Sequence, residues 1–436
     1  MKTRTKEFIL ILTSSALIGI GVGVIVSMLH KSVDWILLHK VSMIEEYWPW
    51  QEYMWVAYML ITSFMVFVSV YLVKHFSPEA GGSGIQEIEG VVGNKRTMNA
   101  IRVIVVKFIG GLFSLGGSMA MGREGPSVQI GGAFGQMIAR SVKLRREDIN
   151  VLIAAGAGAG LAATFNAPLA GLLFVFEEMR KDIRYSYIPV QSVLMAVVMS
   201  VISLRLIVGN DISIPIDNVV VPNVSELWIF TLFGLFFGLL GFIFNKYLLD
   251  FTKKISTLSS WKSNVSTLVI GAGIGLLLYF YPNSVGEGYQ VISKALHEEM
   301  TLQALLLLFA IRFLTTMLSY GTGAPGGIFA PMLALGTLFG VAFGLVVNDA
   351  LPTLDVDPMV FAIVGMSALF SATVRAPITG IILVAEMTSS FDLLMPLLIT
   401  SLCAVMTANA LGGRAIYTVL LEHTLKISKF GGKKSE

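Results

Sequence analysis

Residues 122–132 read GREGPSVQIGG. Between Val103 and Ala139 the chain carries only three charged residues, Lys107, Arg123 and Glu124. The rest is apolar, glycine, or small and polar. A carboxylate placed between two glycines and ahead of a proline, inside such a run, needs a reason. Ionisable groups at membrane depth are costly, and by default they mark function.

Composition supports the membrane setting. The 436 residues are 55% hydrophobic and 14% charged, with a mean hydropathy of +0.77. A soluble domain carries about 25% charged residues. About eleven apolar segments run roughly over 7–29, 54–73, 103–121, 151–176, 187–208, 227–244, 265–281, 302–320, 327–348, 359–385 and 393–411. Several contain glycine or a charge, so more helices than segments are expected. This is an all-α polytopic membrane protein. The first apolar run is too long for a signal peptide and reads as a retained helix. Lys2, Arg4 and Lys6 before it, and the basic tail KISKFGGKKSE, place both termini in the cytoplasm. The stretch IEEYWPWQEYMW (44–55) suits an outer loop with an interfacial aromatic belt. The tail is short, so no appended soluble domain is expected. One cysteine, Cys403, excludes a disulfide framework or a cysteine metal cluster. A net charge of +3 points to no nucleic-acid partner.

The chain repeats itself. VLIAAGAGAGLAATFNAPLAGLLFVFEEM (151–179) aligns with VFAIVGMSALFSATVRAPITGIILVAEM (360–387) at an offset of 209. GREGPSVQIGGAFG (122–135) aligns with GGIFAPMLALGTLFG (326–340) through Pro126/Pro331, Gly131/Gly336 and Gly135/Gly340. PEAGGSGIQEI (78–88) aligns with PNSVGEGYQVI (282–292) at 204. Two homologous halves, 1–209 and 210–436, follow. Repeated membrane halves place a substrate site at their interface near the midplane.

The repeated blocks share a shape of small residues, a short run, proline, and then an apolar helix. Proline fits the first helical turn, so GREGP and GIFAP read as helix starts inside the membrane. Glycine lets backbone approach an ion closely. Free N–H groups at such starts carry about half a positive charge and form an anion site without a full cation. SGIQ supplies one start and the hydroxyl of Ser83, GREGP another, and IFAP a third through the amides of Ile328 and Phe329. The donors outnumber the acceptors, which disfavours a cation.

Glu124 at such a start mimics the anion and can occupy its site. Once protonated, it loses that attraction and swings out, which makes a gate that takes a proton when an anion replaces it. A salt bridge from Arg123 to Glu124 is the structural alternative, weakened because adjacent residues rarely face each other on a helix. Glu177 and Glu178 end an apolar run before basic residues, where solvation or pairing is the simpler reading. Glu386 matches Glu177 across the repeat, which suggests a shared structural task. Glu178 has no such counterpart and is the better candidate for a special role.

The set GSGIQEIEG, GREGPSVQIGG, FNAPLAG, GTGAPGGIFAP and the late Tyr417 resembles the CLC family of chloride channels and transporters, especially its bacterial proton/chloride exchangers. The match runs over about 78–417. The resemblance implies a CLC-type inverted repeat of tilted and broken helices, and a homodimer in the lipid bilayer with one pore per subunit. It implies that Ser83 and Tyr417 coordinate a central chloride with the Ile328 and Phe329 amides, and that Glu124 is the external gate and proton acceptor. It further implies that Glu178 accepts protons from the inner side. Chloride and protons are then the substrates, with no cofactor and no metal. Family channels lack an acid at the position of Glu178, so exchange is favoured over a passive chloride channel. Retained Ser83 disfavours the nitrate-selective branch; Ser83, Glu178 and Tyr417 together disfavour the fluoride-exporting one. One departure stands out: Gln86 replaces the proline of the family's GSGIP. The five histidines lie in or near loops and termini, and no phosphate loop, HExxH or GxSxG is present, so an enzyme is not expected. Pumping, if any, must use ion gradients.

Overall fold

A computed structural model describes the backbone of residues 2–431 except 143, 181, 182, 184, 185, 211–213, 215, 217, 218 and 355, and side chains from residue 6 to 426 within those. The side chains of Lys2 and Arg4 and most of the basic tail therefore lie outside the described residues. The first half contains α1 (Lys2–Tyr47), α2 (Met54–Phe76), α3 (Ile85–Val92), α4 (Ala100–Gly116), α5 (Glu124–Ser141), α6 (Arg146–Phe165), α7 (Pro168–Glu178) and α8 (Tyr187–Val208). The second contains α9 (Trp228–Ser256), α10 (Ser260–Phe280), α11 (Tyr289–His297), α12 (Leu302–Gly321), α13 (Phe329–Ala350), α14 (Pro358–Val374), α15 (Pro377–Thr388), α16 (Leu394–Ala410) and α17 (Ile416–Gly431). Among the described residues there is no strand, and nine helices are long and apolar enough to span a bilayer. Large apolar side chains such as Ile101, Leu206 and Met406 face outward. The architecture is that of a multi-pass integral membrane protein.

Several apolar segments divide where the sequence inserts a breaker. The run 151–176 becomes α6 and α7, separated by Asn166 in the left-handed region (φ 54°) and restarted by Pro168. The run 359–385 divides the same way, at Arg375 (φ 71°) and Pro377. The first helix departs from expectation in the other direction. It continues past residue 29 to Tyr47, and the proposed outer loop shrinks to the few residues before α2. The polar residues that seemed to end it are absorbed by tertiary contacts. Lys40 is buried and donates to Gly116 O (2.7 Å) and Ser118 Oγ (2.8 Å), and Asp34 pairs with Arg123. Trp50 and Tyr53 remain exposed at the connection.

The repeat glycines are close-contact points between helices. An added Cβ on Gly131 would lie 2.1 Å from Gly156 O, and one on Gly135 2.3 Å from Leu152 O, where α5 crosses α6. Their mates do the same where α13 crosses α14: Gly336 against Gly365 O at 2.4 Å and Gly340 against Phe361 O at 2.3 Å. Only glycine permits backbones so close, as in membrane helix pairs generally.

The halves also exchange contacts reciprocally. The Glu177 carboxylate accepts from Ile378 N (3.1 Å) and Thr379 N (2.6 Å) at the start of α15. Glu386 accepts from Leu169 N (3.0 Å) and Ala170 N (2.8 Å) at the start of α7. Each carboxylate satisfies orphan amides and complements the dipole of the opposite half's helix. Gly82 N donates to Gly323 O (3.2 Å), and its mate Gly286 N donates to Ser118 O (2.9 Å). Swapped partners of this kind are what a two-fold relation between halves produces. The fold is an inverted repeat of broken helices.

Candidate functional site

The site forms where three helix starts meet in the protein interior. Gly122 and Gly327 pair as an antiparallel bridge, N to O in both directions at 3.0 and 2.7 Å. This bridge binds the starts of α5 and α13 together. It also shapes a slot for Glu124, since a Cβ on Gly122 would lie 1.9 Å from Glu124 Oε2 and one on Gly327 2.2 Å from Oε1. The Glu124 side chain is wholly buried. Its Oε1 accepts from Phe329 N at 2.6 Å, with the Ala330 amide alongside, and Oε2 has no partner. The charge-assisted contact joins residues from opposite halves.

The loop before α3 delivers Ser83. Gly82 (φ +58°) and Gly84 (φ +83°) take left-handed conformations on either side of it, which non-glycine residues rarely adopt. Lys107, fully buried on α4, donates to Ala80 O (3.0 Å) and Gly82 O (2.6 Å) and pins the loop. Ser83 is then buried against Gly125, whose Cβ would lie 2.8 Å from Ser83 Oγ. Tyr417, at the start of α17, brings its hydroxyl beside Ser83. Neither hydroxyl finds a well-formed hydrogen bond. Two buried, unspent O–H donors near a helix start form a pocket for an acceptor, because burying a polar group unpaired costs about 1–3 kcal/mol. Phe329 walls the site, stacked on Phe165, edge-on to Phe174 and Phe370 and tilted against Tyr417, at centroid distances from 4.6 to 6.4 Å.

Ser83, Glu124, Phe329 and Tyr417 are thus brought together. Ile328 is the buried residue that caps α13, and the amide that reaches Glu124 is that of Phe329. Glu178 ends α7, half-buried, within electrostatic reach of the Tyr417 hydroxyl. Arg123 does not pair with Glu124. It turns away to Glu287 (Nε to both oxygens, 2.8 and 2.9 Å) and to Asp34 (2.9 Å). Gln86 occupies the second turn-start position of α3, buried, with Oε1 unpartnered.

Three residues escaped the sequence reading. Lys107 and Arg312 are buried cations that hold corresponding loops: Arg312 donates to Asn283 O (2.8 Å), Val285 O (3.0 Å) and Gly286 O (2.9 Å). They stand 205 residues apart, the spacing of the GREGP and GIFAP blocks, so the repeat carried their signal. Glu287 stands opposite Ser83 in the repeat, but its pairing gave no signal, because its partner lies 164 residues away.

Converging helix starts, a buried carboxylate in an amide slot and two buried hydroxyls define the class: a multi-pass membrane protein with a donor-rich site in its interior. The family follows from comparison with known proteins. The model of the voltage gated chloride channel family matches residues 64–409, and the chain belongs to that family. It is 48% identical to the H(+)/Cl(-) exchange transporter ClcA of Vibrio parahaemolyticus, with 86% of this chain and 81% of that one covered. It is 40% identical to the protein of the same name from Yersinia pestis, over 97% of this chain and 89% of that one. Among solved structures it superposes on a slow cyanobacterial Cl-/H+ antiporter with a TM-score of 0.92 at 38% identity, covering 96% and 98% of the two chains. A CLC-type fluoride/proton antiporter shares the fold, with a TM-score of 0.75 at 19% identity, covering 93% of this chain and 96% of that one.

Proposed function

We propose that this chain is a secondary active transporter that exchanges chloride for protons. The observation that carries the reading is the seat of Glu124: an anionic group held by the Phe329 amide directly beside the idle hydroxyls of Ser83 and Tyr417. Chloride arriving at Ser83, Tyr417 and the Ile328–Phe329 helix start competes with the carboxylate. Displaced, Glu124 gains a proton from the outer side; returning, it gives that proton inward, where Glu178 accepts and releases it. Two ions of opposite sign then move in opposite directions through one gate. The relatives carrying the exchanger name, 40–48% identical, support the same reading. The halves divide at 209/210, after α8. The working form is a homodimer with one such site per subunit, in a bacterial inner membrane, with both termini cytoplasmic. No cofactor or metal takes part.

The decisive experiment reconstitutes the protein in liposomes with a chloride gradient, no pH gradient and the potential clamped at zero. Proton movement driven by chloride is the expected outcome. Chloride flux with no proton movement makes the protein a passive channel and overturns the exchange.

A further inference from the structure

The mates of the anion-site residues in the other half are charged. Glu287 stands 204 residues after Ser83, and Arg123 stands 205 before Ile328. Where one half presents a hydroxyl beside a helix start, the other presents a carboxylate on a guanidinium. Glu287 offers both oxygens to Arg123 Nε, and both side chains are nearly buried, at 7% and 11% exposure. Asp34 on α1 takes Nη2, and its side chain is 57% exposed, so the cluster reaches solvent through it. Two carboxylates thus surround one cation, and that cation directly precedes Glu124.

We propose that Glu287 acts as a built-in anion that occupies Arg123 and so sets the affinity of the outer entrance for chloride. An uncovered Arg123 at this place would attract anions toward the Glu124 slot through low-dielectric surroundings that screen little. Covered by Glu287 and Asp34, the cluster carries one net negative charge and holds external chloride off. The arrangement is more than a brace for the α5 start, because a brace needs one partner and this cation has two. Glu287 and Asp34 are positioning residues that act through Arg123. The inference rests on the proposed reading in which Glu124 opens to the outer side.

The test measures chloride uptake into oriented vesicles against external and, separately, internal chloride at fixed pH. Glu287→Gln keeps an oxygen for Arg123 while removing the charge. Loss of one unit charge about 7 Å from an arriving anion strengthens its attraction between about threefold, at the dielectric of water, and about 50-fold, at an effective dielectric of about 20, so the external half-saturating chloride concentration falls at least about threefold and internal dependence stays the same. Asp34→Asn, at an exposed position that folding tolerates, shifts it in the same direction by a smaller factor. Arg123→Gln/Glu287→Gln lies between the two single variants, because one charge of each sign is removed. Unchanged external dependence in both Glu287→Gln and Asp34→Asn, or an equal change on both sides, overturns the proposal. Should Glu287→Gln fail to stay monodisperse, Asp34→Asn decides alone. Chloride dependence is read without protons, so a failure of exchange would leave this result standing, and the reverse holds equally.

Discussion

The loops that lead into α3 and α11 are built alike and end differently. Each has a short 3-10 turn begun by proline, Pro78–Ala80 and Pro282–Ser284. Each places left-handed glycines at matching positions, Gly82 and Gly84 against Gly286 and Gly288. Each is held by a buried cation that donates to its carbonyls, Lys107 in one and Arg312 in the other. Yet the first presents Ser83 with an unspent hydroxyl, and the second presents Glu287 already committed to Arg123. Duplication supplied the frame twice; the side chain between the glycines differs, a buried hydroxyl in one copy and a paired carboxylate in the other. Backbone geometry and binding chemistry are therefore separable here, because main-chain carbonyls fix the loop while the side chain between the glycines sets its use.

The comparison can be broken most severely at the cations. Lys107→Met and Arg312→Met each leave two or three buried carbonyls unsatisfied, at about 1–3 kcal/mol apiece. Arg312→Met, with three carbonyls lost, is expected to lower the temperature of aggregation in detergent more than Lys107→Met does, and only Lys107→Met should also weaken chloride binding by calorimetry. Equal loss of chloride affinity in both would mean the two loops are not functionally distinct. At the slot, Glu124→Gln is expected to reduce chloride-driven proton movement about 100-fold while chloride flux persists. Retained proton pumping would remove Glu124 from the gate. Gly327→Ala sharpens the same point without touching the carboxylate. Its methyl group would sit on Glu124 Oε1, expelling the side chain, and chloride binding at the vacated amides should rise. Smaller effects belong to the hydroxyls. Ser83→Ala or Tyr417→Phe should each weaken chloride binding about tenfold, the worth of one hydrogen bond to a charged group. Gln86→Pro removes an N–H from the α3 start and should alter chloride affinity by less than threefold.

The glycines and prolines made the fold readable. Pro126 and Pro331 lie in the first turns of α5 and α13, where GREGP and GIFAP predicted helix starts, and Gly131, Gly135, Gly336 and Gly340 make the crossings that small residues permit. Glu124 was legible for a related reason: a lone acid in an apolar run has few purposes. The extent of α1 was not legible, since Asp34 and Lys40 look like the end of a span until their partners are known.

By itself, the sequence determined a membrane-spanning chain of two related halves, with helix starts carrying Ser83, Glu124 and Phe329. Composition, spacing and local steric rules act within a few residues, and the repeat doubles their signal. Tertiary structure alone decided where the charges go: Arg123 to Glu287 rather than Glu124, Glu177 and Glu386 each to the other half's helix, Lys107 and Arg312 to loop carbonyls. In a low-dielectric interior each buried charge must find a partner. That partner is chosen by distance in space, and for Arg123, Glu177 and Glu386 it lies 164 to 217 residues away along the chain.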